Sequence, residues 1–160
     1  MPFPYKKILC PVDFDDPSAQ AMEQAAALAL HSAGDLCLLH VVSFNPLVAQ
    51  GAVEGFAGKE LYDAQVEAAR RELEQFAQSI PSGVKRTIAI ELGLPADSIL
   101  AAQKRLGADL LVMATHGRRG LKRLVLGSVA EKVVRESTIP VLMVRSSQAE
   151  NSPPSRDVDT

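Results

Sequence analysis

Residues 113–128 read Met-Ala-Thr-His-Gly-Arg-Arg-Gly-Leu-Lys-Arg-Leu-Val-Leu-Gly-Ser, the densest concentration of binding chemistry in the chain. Glycines at 117, 120 and 127 let backbone N–H groups approach an anion with no Cβ in the way. Arg118, Arg119, Lys122 and Arg123 add positive charge to the same segment. A helix predicted to start near Ser128 would supply unpaired N–H groups and the positive end of its dipole. A phosphate chain is the ligand these parts suit together. The simpler reading gives Gly117 and Gly120 a turn and makes Ser128 a helix cap; the four cations favour the phosphate. His116 is placed to touch a phosphate, but with no carboxylate or serine partner in view it makes no case for a catalytic base.

A second candidate is Asp13, just past the first apolar run. A carboxylate there can accept hydrogen bonds from a base amino group or a ribose hydroxyl. Local backbone amides are the competing partners. Asp15 and Asp16 read as turn and helix cap. The acidic cluster offers oxygen ligands of the kind Mg²⁺ takes, and a magnesium ion carried on phosphates needs few of them. His31 and His40 read as a helix end and a strand residue. No catalytic residue is assigned. The chain has no G-x-x-x-x-G-K-[ST] loop and no G-x-G-x-x-G spacing, so phosphoryl-transfer catalysis is hard to argue.

These residues need a scaffold that brings them together. Lys6 to Val12, Leu36 to Val42, Val84 to Leu92, Asp109 to Ala114 and Ile139 to Val144 are short, mostly apolar runs, as in strands covered on both faces. Between them lie helical patterns. Asp16-Pro17 opens the first and Gly34 stops it. The second places Leu61, Ala69, Leu73, Phe76 and Ile80 on one face. The third runs from Pro95 to Leu106 and closes at Gly107. The fourth starts near Ser128, where Ser128 and Glu131 match a capping box. Ser43 to Gly58, with three glycines, reads as a long connection. The βαβαβαβαβ order implies a parallel sheet with helices on both faces, a doubly wound α/β domain. Ligands of such sheets bind beyond the carboxyl ends of the strands, where the strand order reverses.

The bulk properties agree. The chain has 160 residues, a net charge of −2 and only 4% aromatic residues, with no Trp. One domain is expected, with a core of Val, Leu, Ile and Ala. No basic face argues for nucleic acid. No apolar run is long enough to cross a bilayer and no signal peptide is evident, which makes cytoplasmic residence the expectation. Cys10 and Cys37 sit in apolar runs and read as small buried hydrophobes. From Ser146 the composition turns to Ser, Pro, Asp and Glu, so residues 146–160 are expected to form a disordered tail outside a domain of residues 1–145.

Ala114-x-x-Gly117, nine residues, then Gly127-Ser128 resembles the nucleotide loop of the universal stress proteins. The opening KKILCPVDFDDPS and the closing IPVLMVR resemble that family's first and last strands. The resemblance covers Lys6 to Arg145. It implies a five-stranded parallel sheet of order 3-2-1-4-5, a stress-response regulatory role, ATP as ligand, and a homodimer through the last strand, Ile139 to Arg145. Carried over by position, Pro11, Val12, Asp13 and Val41 would meet the base side. Met113, Ala114, Gly117, Gly127, Ser128 and Val129 would hold ribose and phosphates, with Arg118 adding charge. Ala114 departs from the family's glycine, and its methyl group would weaken binding at worst.

Other readings have specific requirements. A ligand-free dimerisation or signalling module of the same family would show no stabilisation by ATP. A phosphoacceptor receiver domain needs an aspartate after the third strand and a lysine after the fifth, where this chain has Glu91 and Arg145. An adenylylating enzyme needs a second substrate pocket and a nucleophile, neither of which the sequence supplies.

Overall fold

The computed structural model describes residues 3–43, 56–115 and 126–146. Five strands form one sheet: β1 (Lys7–Pro11), β2 (Asp35–Ser43), β3 (Lys85–Gly93), β4 (Leu110–Ala114) and β5 (Val141–Val144). Every pairing is parallel and the order is β3-β2-β1-β4-β5. Four α-helices join them among the described residues: α1 (Asp16–Ser32), α2 (Phe56–Phe76), α3 (Pro95–Leu106) and α4 (Ser128–Glu136). A short 3-10 turn, Ala77–Ser79, extends α2.

The sheet separates two apolar layers, because successive strand residues point to opposite faces. Ile8, Cys10, Leu36 and Leu38 pack with Ala21, Met22, Ala25 and Ala29 of α1 and with Leu73 of α2. Leu9, Leu39, Leu111 and Met113 pack on the other face with Ile99 and Ala102 of α3 and with Val133 of α4. The run of alanines on α1 lets that helix lie close to β1 and β4. Burial pushes the Cys10 thiol well above its ordinary pKa, and burial also raises that of Cys37. Both cysteines are free thiols.

Local details depart from the expected pattern in four places. The N-cap of α1 is Asp15, not Asp16: its carboxylate accepts from the Ser18 amide at 2.8 Å, and Pro17 falls at the second helical position. The left-handed residue that ends α1 is Ala33 (φ 47°), not Gly34. The amide of Gly34 closes the turn onto the Ala29 carbonyl at 2.9 Å. Gly34 serves packing instead, since a Cβ there would lie 2.9 Å from the Tyr5 carbonyl. The second helix starts at Phe56, before the expected end of the connection at Gly58. On its buried side Ala69 and Leu73 behave as expected, but Leu61 is 49% exposed; among the described side chains of this helix the buried ones lie in its second half. The residues 44–55 of the connection, and the tail from 147 to 160, lie outside the described residues.

At the far end of the sheet from the candidate site, Asp109 holds two strands in register. Its two carboxylate oxygens accept from the amides of Lys6 and Lys7 at 2.8 and 2.9 Å. Gln103, only 2% exposed, accepts from Ser137 and donates to Thr138, joining α3 to the entry of β5. Glu91 of β3 pairs with Arg105 of α3, so this position serves as a structural ion pair. Among the described residues, no helix is long and apolar enough to cross a membrane.

Candidate functional site

The strand order reverses between β1 and β4, whose connections leave toward opposite faces of the sheet. A cavity of about 420 Å³ opens there, beyond the strand ends. That volume lies within the range of small-molecule sites. β1 brings Pro11, Val12 and Asp13 to it, and β2 brings Val41. β4 delivers Met113 and Ala114, and the start of α4 delivers Gly127, Ser128 and Val129. Residues far apart in sequence thus meet because parallel strands all end on one side. His116, Gly117 and Arg118, also expected at the site, lie outside the described residues.

The helix end has a specific chemistry. Gly127 is the N-cap of α4 and supplies no side-chain hydrogen bond. Ser128 is therefore the first helical residue and the expected capping box does not form. Glu131 instead lies 3.7 Å from Arg135 one turn on. The first intrahelical bond runs from the Glu131 amide to the Gly127 carbonyl at 2.8 Å. The amides of Ser128, Val129 and Ala130 precede it and have no acceptor within the helix. All three residues line the cavity. Their N–H groups and the helix dipole favour an anion.

The amide of Gly127 itself is used internally, donating to the Thr115 carbonyl at 3.2 Å. The amides left without an acceptor in the helix are thus those one to three residues later. Ala114 packs against the apolar layer under α1 and also lines the cavity.

On the other side of the cavity the turn after β1 is tightly tied. The Val12 amide donates to the Leu39 carbonyl at 2.8 Å. The Asp13 amide donates to Ser18 Oγ at 2.9 Å, and Ser18 is buried. Phe14 has φ 61°, a left-handed conformation that a side chain bearing Cβ rarely adopts. The Asp13 side chain is 62% exposed and stands at the cavity edge.

Several lining residues escaped the sequence reading. Ser18 is the third residue of α1, and Pro95 and Ile99 come from α3. Their pattern in sequence is that of a cap, a helix start and a core residue. The one available signal for Pro95 was its place just after a strand end. Thr115 and Ala130 flank residues already chosen and follow from the same logic.

Comparison with known proteins gives consistent results. The model of the family described as universal stress protein matches residues 4–145. The universal stress protein MJ0531 of Methanocaldococcus jannaschii is 34% identical over 149 residues, covering 91% of this chain and 85% of that one. A solved structure of MJ0577, from the same organism, superposes with a TM-score of 0.78 at 32% identity, covering 91% of this chain and 99% of that chain. A universal stress protein solved in complex with cAMP shares the fold, with a TM-score of 0.61 at 24% identity, covering 88% of this chain and 96% of that chain.

Proposed function

The chain belongs to the universal stress protein family, and from that premise we propose that it is a stress-response regulatory protein that binds ATP at the β1–β4 switch point. The observation that carries this reading is the uncapped start of α4 opening onto the 420 Å³ cavity opposite Asp13. The amides of Ser128, Val129 and Ala130 take phosphate oxygens. Pro11, Val12 and Val41 form an apolar slot for the base, and Asp13 accepts from the nucleoside. Met113 and Ala114 lie beneath the ribose. The cations and glycines of residues 116–125 complete the phosphate site, with Mg²⁺ carried on the phosphates. A relative of this fold bound to cAMP is in keeping with an adenine ligand.

The role is binding rather than turnover, in a cytoplasmic homodimer. β5 is an edge strand, and its Leu142 is 40% exposed. An apolar edge is best satisfied by pairing, and the same strand of a second copy does so with two-fold symmetry.

One observation favours a ligand-free module of the same family: the Gly127 amide is already bound to Thr115. Calorimetric titration with ATP separates the two readings. ATP binding is expected to be saturable. Ligand at 100 times its dissociation constant should stabilise the fold by about 2.7 kcal/mol. Absence of both heat and thermal shift would leave the ligand-free module as the function. Denaturing the purified protein and identifying the released nucleotide tests the choice of ATP over AMP or ADP.

A further inference from the structure

His40 sits in β2 between two residues of the cavity side, yet it faces away from the cavity. Leu39 and Val41 belong to the layer under α3 and α4, and both line the cavity. His40 continues the opposite face, after Leu36 and Leu38. Its side chain is 14% exposed. Three contacts tie it to the turn that ends in Asp13 and Phe14. Its Nδ1 lies 2.8 Å from the Val12 carbonyl oxygen. A carbonyl only accepts, so Nδ1 carries the proton and donates. The same Nδ1 is 4.0 Å from the Asp13 carboxylate. The imidazole stacks on the Phe14 ring at 4.3 Å between centroids, tilted by 31°.

These contacts address the one place where the turn is strained. A non-glycine residue in the left-handed region persists only where its surroundings hold it. Phe14 is held by His40 on one face and by the edge of Phe76 at 5.7 Å. The Val12 carbonyl is fixed by His40, and the Asp13 amide by Ser18. The backbone on both sides of Asp13 is therefore anchored before any ligand arrives.

We propose that His40 is a positioning residue for the nucleotide site: it holds the Val12–Phe14 turn so that Asp13 meets the nucleoside. This rests on the reading above, in which Asp13 contacts the nucleoside. His40 touches no ligand and acts through the turn.

Calorimetric ATP titrations of the full chain test it. The variants are His40→Leu, His40→Asn and His40→Gln, with Asp13→Ala alone and combined with His40→Leu. Asparagine keeps an N–H donor at the same bond distance from Cβ as Nδ1, whereas glutamine moves it one bond further. His40→Leu is expected to weaken ATP binding about tenfold, the scale of one lost, well-placed hydrogen bond. His40→Asn should recover most of that loss and His40→Gln should not. In the Asp13→Ala background, His40→Leu should cost less than about twofold, because the group it positions is gone.

Losses that multiply in the double variant would overturn the proposal, as would equal losses for Asn and Gln, or unchanged affinity in His40→Leu. If His40→Leu does not fold, the Asn–Gln pair decides on its own. Failure of the wild-type chain to bind ATP would instead strike the underlying function, so the two failures are distinguishable.

Discussion

The Gly127 amide and the Thr115 carbonyl, 3.2 Å apart, join the end of β4 to the start of α4. This bond fixes the distance between Thr115 and Gly127. Gly127 has φ −61°, an ordinary value for any residue. A Cβ built there meets nothing closer than the Thr115 carbonyl oxygen at 3.8 Å. Neither backbone nor packing requires glycine at this position.

Gly127→Ala should therefore fold, but with a small loss of about 0.5–1 kcal/mol, because a helix N-cap favours glycine over alanine. If the position faces a phosphate, ATP affinity should fall in the same variant. Paired urea melts and ATP titrations check both halves. A stable variant with undiminished affinity would remove Gly127 from the site.

The cap of α1 makes a second expectation. Asp15→Ala removes the acceptor of the Ser18 amide and should cost about 1 kcal/mol. Asp16→Ala leaves the cap intact and should change stability by less than about 0.5 kcal/mol, as for an exposed surface position. Chemical denaturation of the two variants side by side distinguishes them.

At the other end of α1, neighbouring residues should respond in opposite directions. Ala33→Gly relieves a left-handed alanine and should stabilise by about 1 kcal/mol. Gly34→Ala drives a Cβ against the Tyr5 and Lys6 carbonyls at 2.9 and 3.1 Å. Overpacking of that kind costs about 1–3 kcal/mol. Both effects are read from denaturation midpoints.

The raised pKa of Cys10 predicts its reactivity. The thiolate is the attacking form, so a pKa pushed upward by burial leaves less thiolate at pH 8. In the native protein Cys10 should resist a thiol-specific reagent, and in denaturant both Cys10 and Cys37 should react at comparable rates. Mass spectrometry of labelled peptides reports the two sites separately.

The proposed dimer has its own test at β5. Leu142→Lys places a charge on the exposed face of the edge strand. It should shift a dimer toward monomer in analytical ultracentrifugation while leaving the monomer's secondary structure unchanged.

Much of the architecture was legible because it depends on local patterning. Apolar runs such as Leu36–Val42 must be covered on both faces, and alternation with helices leaves a parallel sheet as the consistent arrangement. Gly107 ends α3 with φ 63°, as expected from glycine after a helical pattern. The position of the cavity also followed, because the carboxyl ends of parallel strands share one side. Asp13, expected at the crevice from its strand end, and Val41, Met113 and Ser128, carried over from the family resemblance, all line that cavity.

Tertiary structure decided what depends on angle and contact. The sequence pattern pointed to Asp16 as the cap of α1, and the chain direction after Phe14 gave that place to Asp15 instead. Ser128 matched a capping box, but Gly127 took the cap position, so the first amides of α4 have no acceptor in the helix and belong to residues that line the cavity. His40 had the pattern of an ordinary strand residue, since its partners Val12, Asp13 and Phe14 lie far away along the chain. Periodicity fixes which side of a strand a residue occupies. It carries no information about which distant carbonyl or ring waits on that side, because that depends on how separate strands and turns are brought together in space.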